Sequence, residues 1–171
     1  MKRIIMSLLL AVLTVVSLCP SAWAHAVPEE GRTGSITLHM RYAGKPISGG
    51  ELTIYRVGKV AEDDGNYSFV KTGKFTRWEG EFGDLENTAE IAESLAKFVG
   101  DNKIDGIHEP VENGRAKFDN DGKGLPQGLY LVIQTVPAGG YHAIAPFLVS
   151  LPYYDGTAYQ YDVRADVKNE L

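Results

Sequence analysis

The sequence predicts an all-β protein, namely an antiparallel β-sandwich with one inserted α-helix. Roughly seven short segments alternate apolar with polar residues, which is the pattern of a strand with one buried face. Clusters of Gly, Asn, Asp and Pro separate these segments and are typical of tight turns. A single segment has apolar residues at the spacing of a helix. The sequence has no internal repeat and no regular alternation of strands with helices. These features together favour an antiparallel sandwich.

The predicted strands follow one another closely along the chain. Five of them cover residues 36–42, 67–71, 115–118, 128–134 and 143–151. Another, between the first two of these, contains Leu52, Ile54 and Val57. In the last strand, Tyr159, Tyr161 and Val163 alternate with polar residues. Within 143–151, Ala145, Phe147, Val149 and Leu151 share one face. The stretch 72–84 places Phe75, Trp78 and Phe82 between glycines, and this predicts an irregular loop packed by its aromatic rings.

The helix is predicted from its capping signals and its apolar face. Asn87 is a suitable N-cap, and Glu90 three residues later completes a capping-box pattern. Gly100 lies where a helix commonly ends. The residues of the apolar face are Ile91, Leu95, Phe98 and Val99.

The first 24 residues have the organisation of a secretory signal peptide. Lys2 and Arg3 precede an apolar run over 4–18, and a small-residue cleavage site ends at Ala24. An overlapping site would cleave after Ala26. Two alternatives are an uncleaved membrane anchor and a lipoprotein acylated at Cys19, although Leu18 stands where acylation requires a small residue.

Cleavage after Ala24 leaves 147 of the 171 residues, enough for one domain with its own core. We expect a flexible leader over 25–33 and a single domain over 34–171. The only cysteine is removed with the signal, so the mature chain has no disulfide. Without Lys2 and Arg3 it has 15 basic and 22 acidic residues, a net charge of −7. This acidic balance argues against nucleic acid or a membrane as the partner of the processed protein.

Motifs of known catalytic chemistry are missing from the sequence. It contains no HExxH, P-loop, GxGxxG or GxSxG motif. The histidines, His25, His39, His108 and His142, have no metal-ligand spacing. The Asp119-x-Asp121 pair resembles the start of a calcium loop, but Lys123 occupies an acceptor position. Together with Glu109 and Glu112 these acids fit a solvated face, so we expect no enzyme activity, no cofactor and no metal.

The C-terminal segment 161–171 is the candidate functional element. It alternates as a strand and ends in Val167-Lys168-Asn169-Glu170. A lysine just past the last strand of an exported β-domain is a nucleophile at a domain edge. Strand alternation puts Asp162, Asp166 and Lys168 on one side if the strand continues that far. The alternative is that Lys168 is simply a solvated residue in a frayed C-terminus.

Residues 34–169 resemble the N-terminal domain of Gram-positive backbone pilins and the related prealbumin-like domains of surface adhesins. The matching segments are Ser35-Ile-Thr-Leu38, Gly49-Gly-Glu-Leu-Thr-Ile-Tyr-Arg-Val57, Leu125-Pro-Gln-Gly-Leu-Tyr-Leu-Val-Ile-Gln-Thr135, Gly140-Tyr141, Pro146-Phe-Leu-Val-Ser-Leu-Pro152, Tyr161-Asp-Val163 and Val167-Lys-Asn169. The resemblance implies an immunoglobulin-like fold, a place in a fimbrium at the cell wall surface, and covalent assembly with other subunits by a sortase. It makes Lys168 the candidate sortase acceptor.

The chain departs from the family pattern at three points. Related adhesin domains often carry an internal Lys–Asn isopeptide bond promoted by a buried acid; this chain has Met40 and Arg41 where the lysine belongs and Gln134 where the acid belongs. We therefore expect no isopeptide bond. The two Leu-Pro stretches, at Leu125 and Leu151, lack the threonine of a sorting signal. Val167 replaces the proline of the pilin motif.

Two functions remain open from the sequence. The first is an adhesive or structural pilin-like subunit joined through Lys168. The second is a secreted β-sandwich that binds a host protein or glycan without polymerising. Exposed aromatic residues would serve the second function, and Trp78, Tyr153 and Tyr154 are its candidates. The alternative, favoured for each of the three, is packing in the core or in a loop.

Overall fold

A computed structural model describes residues 27–83 and 85–168. The predicted signal peptide with its predicted cleavage sites, Cys19, Asp84 and the tail 169–171 lie outside the described residues. One α-helix, α1, spans Thr88–Asn102, and a 3₁₀-helix spans Gly73–Arg77. The strands are β1 (Ser35–Tyr42), β2 (Lys45–Pro46), β3 (Glu51–Asp63), β4 (Asn66–Lys71), β5 (Ile107–Pro110), β6 (Arg115–Phe118), β7 (Gly128–Val136), β8 (Phe147–Leu151), β9 (Tyr153–Tyr154), β10 (Tyr159–Gln160) and β11 (Asp162–Lys168).

The strands form two principal sheets, which confirms the predicted sandwich with one helix. In the four-stranded sheet, β1 lies between β11 on one side and β2 and β6 on the other. The five-stranded sheet has the order β4-β3-β7-β8, and β5 also pairs with β3. Strands β9 and β10 form a separate ribbon. Among the described residues, every strand pair is antiparallel except β1 with β11, which run parallel. The sequence pattern did not predict that parallel pair.

The five-stranded sheet carries a hydrophobic core on each face. On β3, Leu52 and Ile54 pack into the core between the two sheets, whereas Tyr55 and Val57 pack into a second core under α1. Strand β7 divides its residues in the same way, which explains its nearly continuous apolar run. The domain therefore has three layers, which are the four-stranded sheet, the five-stranded sheet and α1. The helix covers the outer face of the five-stranded sheet, which would otherwise be exposed.

Helix α1 begins where the sequence predicts, but its capping differs. Asn87 is the N-cap residue, yet its side chain makes no capping hydrogen bond. Glu90 lies in the first turn, where the helix dipole favours a negative charge. Ala92, Leu95 and Val99 are buried. Ile91 and Phe98 pack beside them at partial burial, so the predicted apolar face is confirmed.

The predicted end of the helix at Gly100 is wrong. Gly100 lies inside α1, and Lys103 adopts the left-handed conformation that ends it, with φ 48°. The Ile104 amide donates to the Val99 carbonyl across 3.1 Å. Both side chains are buried in the second core. This is the hydrogen bond and apolar contact of a Schellman-type end. It falls three residues later than predicted because Ile104 is the residue that reaches the core.

The predicted strand over 143–151 is shorter in the structure. Only Phe147–Leu151 is strand, and residues 143–146 are irregular. The Ile144 amide donates to the Gln134 side-chain oxygen across 2.9 Å instead of to a neighbouring strand. Pro146 has no amide to donate, so it ends the ladder at Phe147. Of the predicted face, Val149 and Leu151 are buried, and Phe147 packs against the core at partial burial.

Candidate functional site

Strand β11, which contains the candidate acceptor, lies flat against the first strand of the domain. The register runs from Ser35 opposite Asp162 to Arg41 opposite Lys168. Just before it, the Ser35 amide donates to the Tyr161 carbonyl across 2.8 Å. Gly34 is required at this crossing, because a Cβ there would lie 2.0 Å from the Tyr161 carbonyl oxygen. The close approach fixes where β11 begins.

The side chains of β11 alternate between the core and the solvent. Val163 is buried, and Ala165 and Val167 pack against the core between the sheets. Asp162, Arg164 and Asp166 are exposed. The predicted alternation holds from Asp162 to Val167. The single final strand that the sequence predicts is interrupted at Tyr161, because Tyr159 and Gln160 pair with β9 instead. The apolar residues hold the strand down, so its polar face is presented to solvent.

Two polar contacts join this exposed face to β1. The Ser35 hydroxyl donates to Asp162 Oδ1 across 2.8 Å. Farther along, Arg41 Nε lies 3.9 Å from Asp166 Oδ1, and both side chains are mostly exposed. The exposed ion pair contributes little stability because water screens it. The Ser35 contact is partly buried and ties the beginning of β11 in place.

Lys168 is the last residue of β11, and its backbone pairs with Arg41. The condition set by the sequence, that the strand should continue as far as this lysine, is met. The Lys168 side chain and the residues after it lie outside the described part. Among the described residues, β11 pairs with β1 alone, so it is an edge strand of its sheet. Whether Lys168 is an acceptor stays a prediction.

The three positions predicted to prevent an isopeptide bond have different environments. Met40 is fully buried in the core between the sheets. Arg41 is exposed and faces Asp166. Gln134 is buried; its oxygen accepts from Ile144, while its nitrogen has no hydrogen-bond partner among the described residues. The Gln134 amide cannot transfer the proton as an acid would, and the Met40 thioether is not the amine that would attack. The absence of the bond was not tested and stays a prediction.

The end of the leader contacts the domain beside the start of β11. The Glu29 amide donates to the Tyr161 hydroxyl across 2.6 Å, and the Arg32 guanidinium lies 4.0 Å from the centre of the Tyr161 ring. The Gln127 side chain donates to the carbonyls of Glu29 and Arg32. The leader therefore forms one wall of the surface next to β11. The predicted domain boundaries stay a prediction.

The acidic residues near the β6 turn are only partly brought together. Burial, followed by the charges of Asp119 and Asp121, raises the pKa of Glu109. Hydrogen bonds from Lys117 and from the Gly122 amide lower the pKa of Asp119. No group of three or more His, Cys, Asp or Glu side chains with metal-binding geometry occurs within the described ranges. Asp119 instead accepts from the Gly122 amide and holds the turn between β6 and β7, which lie in different sheets.

One of the histidines, His108, lies in a network of polar side chains. His108 Nδ1 lies 2.8 Å from the Thr53 hydroxyl and 3.2 Å from Glu51 Oε1. Thr135 joins the same network by hydrogen bonds to Thr53 and Glu51. Both close partners of the imidazole use the same ring nitrogen, so the group lacks the relay geometry in which a base contacts a nucleophile and an acid through opposite nitrogens.

The aromatic candidates for ligand binding separate into buried and exposed residues. Trp78 is buried, and its indole donates to the Ser94 hydroxyl across 3.1 Å, so it is unsuitable as a surface contact. It packs with Phe75 and Phe82 under α1, which confirms the predicted ring-packed loop. Tyr153 and Tyr154 are exposed.

Two further tyrosines that sequence analysis did not select, Tyr67 and Tyr159, lie beside Tyr154. The ribbon of β9 and β10 brings Tyr154 and Tyr159 together, and strand alternation within each segment carries no sign of that pairing.

No protein-family model matches the chain, and no curated protein sequence matches it. Several solved structures are similar to it. The chain is 28% identical to the full-length major pilin SpaD of Corynebacterium diphtheriae, with a TM-score of 0.52 over 85% of this chain and 32% of SpaD. It is 22% identical to SpaA of the same organism in a pilin–signal peptide complex, with a TM-score of 0.51 over 81% of this chain and 98% of that one. The fimbrial protein FimP of Actinomyces oris is 19% identical, with a TM-score of 0.52 over 84% of this chain and 31% of FimP.

The chain therefore has a fold like that of the N-terminal domain of pilins, as its resemblance to that family implied. It spans about a third of the length of SpaD and of FimP. Within the described residues, no helix is both long enough and apolar enough to cross a membrane.

Proposed function

We propose that the protein is a pilin-like subunit of a bacterial surface fibre, and that a sortase joins Lys168 to the carboxyl end of another subunit. One observation carries the proposal: the last strand runs without interruption to Lys168 along an edge of the sheet. The likeness to the major pilin SpaD supports the same function. An edge strand leaves one side of its backbone open to an approaching chain.

The chemistry requires little of this subunit beyond an accessible amine. In the sortase reaction, the partner's carboxyl group is held as a thioester on the enzyme's cysteine. The neutral Nζ of Lys168 attacks the thioester carbon, the carbon–sulfur bond breaks, and an amide forms. The nitrogen loses one proton, and the cysteine leaves as a thiolate that takes up a proton. The products are a branched isopeptide between two subunits and free enzyme.

The neighbouring strand places an ion pair next to this position. The register pairs the backbone of Lys168 with that of Arg41. The Arg41 guanidinium lies 3.9 Å from the Asp166 carboxylate. A base of the sortase generates the neutral amine that attacks.

An open strand edge also offers a docking place for the incoming chain. Extended peptides commonly add to an exposed sheet edge through main-chain hydrogen bonds. The SpaA structure, which shares this fold, is a complex of a pilin with a signal peptide. We infer that the carboxyl end of the neighbouring subunit lies along the open edge of β11 and reaches Lys168 from outside that edge.

The test is a set of variants produced in cells that contain the cognate sortase. Lys168→Ala removes the amine, and Lys168→Arg keeps the charge but replaces the amine with a guanidinium that stays protonated. Lys123→Ala is the matched control, because Lys123 is an exposed lysine in the turn between β6 and β7. Immunoblots of the cell-wall fraction should show a ladder of covalent species for the wild type and for Lys123→Ala. Both Lys168 variants should give the monomer alone.

The proposal fails in either of two ways. A ladder that persists unchanged in both Lys168 variants would exclude this lysine as the acceptor. Absence of a ladder in the wild type, in cells whose sortase polymerises its other substrates, would exclude the polymeric function itself.

A further inference from the structure

A narrow groove of about 180 Å³ runs across the surface between the β3–β4 hairpin and the small β9–β10 ribbon. Tyr67 projects from the hairpin, and Tyr154 and Tyr159 come from the ribbon. Two prolines complete the walls, Pro28 from the leader and Pro152 from the turn before β9. Four separate segments of the chain thus place rings around one groove.

The tyrosines remain open to solvent, although they are among the largest apolar side chains of the domain. Tyr67 is 38% exposed and Tyr154 is 46% exposed. The rings of Tyr154 and Tyr159 pack against each other with their centroids 5.0 Å apart, which restricts their motion. A cluster of exposed aromatic rings marks an interaction site more often than an inert surface. Rigid tyrosines provide contact area at a small cost in conformational entropy.

The tyrosine hydroxyls provide the polar part of the site. The Tyr154 hydroxyl donates to the Gly156 carbonyl across 3.1 Å. The hydroxyls of Tyr67 and Tyr159 have no hydrogen-bond partner among residues 27–83 and 85–168. A phenolic hydroxyl beside an apolar ring can donate to a peptide carbonyl while the ring packs against a neighbouring side chain.

The lining favours a proline-containing peptide over a sugar. The residues around the groove are apolar, aromatic, proline or serine, without a carboxylate or carboxamide side chain. Sugars are usually fixed by such planar polar groups in addition to an aromatic platform. The carboxylate of Asp155, next to Tyr154 in sequence, already accepts from the amides of Thr157 and Ala158 and from the Gln160 side chain. Two prolines of the chain itself already lie against these tyrosines.

A larger groove adjoins the first one. The second groove, of about 560 Å³, shares Pro28, Val60 and Tyr67 with the first. Its lining includes Arg32 and Arg56 together with Glu30, Glu62 and Gln127. The Glu62 carboxylate already accepts from the Gly65 amide, and the Gln127 side chain already donates to backbone carbonyls of the leader. Polyproline II peptides have no internal hydrogen bonds, so their carbonyls need external donors, and arginine side chains can supply them.

We propose that this groove binds an extended, proline-containing segment of another protein in the polyproline II conformation. Proline rings pack between the tyrosines, and the tyrosine hydroxyls donate to the carbonyls of the peptide. Aromatic grooves that recognise such segments work in this way, because the peptide is already ordered before it binds. The site does not include Lys168, so it goes beyond the covalent linkage proposed above and does not depend on it.

The test is a titration of the isotope-labelled mature protein with a capped decaproline peptide, followed by NMR. A capped glycine–serine peptide of equal length is the control for non-specific binding. Decaproline should produce saturable shifts centred on Tyr67, Tyr154 and Tyr159, and the glycine–serine peptide should not. Tyr154→Ala and Tyr67→Ala should each weaken binding by about tenfold or more, the loss expected when an aromatic contact of more than about 1.4 kcal/mol is removed.

Tyr153→Ala provides the matched control. Tyr153 is 53% exposed and adjacent to Tyr154, but it does not line the groove. Its variant should bind as the wild type does. The amide spectrum of every variant outside the groove should match that of the wild type, and Tyr67→Ala decides the outcome if Tyr154→Ala disturbs the ribbon.

Three results would overturn the proposal. The first is the absence of saturable shifts at millimolar peptide. The second is an equal loss of binding in Tyr153→Ala. The third is saturable binding of maltohexaose, and not of decaproline, at the same tyrosines, which would assign the groove to a glycan.

Discussion

The Ser35 hydroxyl donates a hydrogen bond to the Asp162 carboxylate across 2.8 Å and thereby joins the beginning of the first strand to the beginning of the last. These residues lie 127 positions apart in the chain. The candidate acceptor lies at the other end of the same strand pair, opposite Arg41. The position of Lys168 on the domain therefore depends on how firmly the last strand is held against the first.

Ser35→Ala should lower the free energy of unfolding by about 0.5–1.5 kcal/mol, the usual net contribution of one hydrogen bond. Asp162→Ala should cost a similar amount. In the double variant the two losses should not add, because each change removes the same contact. Urea denaturation of the mature protein measures all three values. Ser48→Ala is the control, since Ser48 is exposed. Fully additive losses would show that the contact contributes nothing.

The folded domain should have the full mass of its mature sequence. An internal Lys–Asn isopeptide bond would release one molecule of ammonia, and Met40, Arg41 and Gln134 cannot supply the required amine and acid. Intact mass spectrometry of the purified protein measures this directly. The same chain, isolated in unfolded form, is the control because such a bond forms only after folding. A folded sample lighter than the control by one ammonia would contradict the prediction.

Lys71 should stabilise the aromatic loop that covers the second core. Its Nζ donates to the carbonyls of Trp78 and Gly80 across 3.2 and 3.0 Å, and to Glu81 Oε1 across 3.0 Å. Lys71→Met keeps the length of the side chain but leaves these acceptors unpaired, and it should cost about 1–3 kcal/mol.

Trp78 is the only tryptophan after the predicted signal peptide, so its fluorescence reports the unfolding of this variant. Lys74→Met is the control at an exposed lysine of the same loop. Equal stability of the two variants would mean that the Lys71 contacts are not stabilising.

Asp155 should make the turn before β10 sensitive to acid. Hydrogen bonds from the Ala158 and Thr157 amides and from the Gln160 side chain lower the pKa of this carboxyl group. A lowered folded-state pKa means that the stabilisation is present above the ordinary pKa of aspartate and is lost as the pH falls through the folded-state pKa. Asp155→Asn should thus be less stable than the wild type at neutral pH, and the difference should shrink below about pH 4. A difference that does not change with pH would exclude the charge as its cause.

The regular parts of the fold could be predicted from the sequence because they depend on local patterns. Strand β6 was predicted with its observed bounds. The alternation of β11 placed Val163 towards the core, as found. The end of α1 was mispredicted because it was inferred from a single residue, the glycine that often follows a helix. The burial of Ile104 determined the actual end. The strand over 143–151 was overextended because the hydrogen bond between Gln134 and Ile144 is a tertiary contact.

The candidate site was predicted only in part. The sequence identified Lys168 and the alternation that leads to it, but not the parallel pairing with β1, which joins segments more than 120 residues apart. It also treated Trp78 as a possible surface contact, whereas the ring is buried under α1. The tyrosine groove was missed because its members come from the leader, a hairpin and a separate ribbon. Nothing in local periodicity relates these segments to one another.

The most direct measurement of the central claim is the identity of the lysine that carries the link. Covalent species from the cell-wall fraction should be digested with a protease, and the branched peptides sequenced by tandem mass spectrometry. We predict a branch at the Nζ of Lys168, with the carboxyl end of a neighbouring subunit attached by an amide bond. A branch at another lysine, such as Lys59 or Lys123, with Lys168 unmodified, would contradict the account.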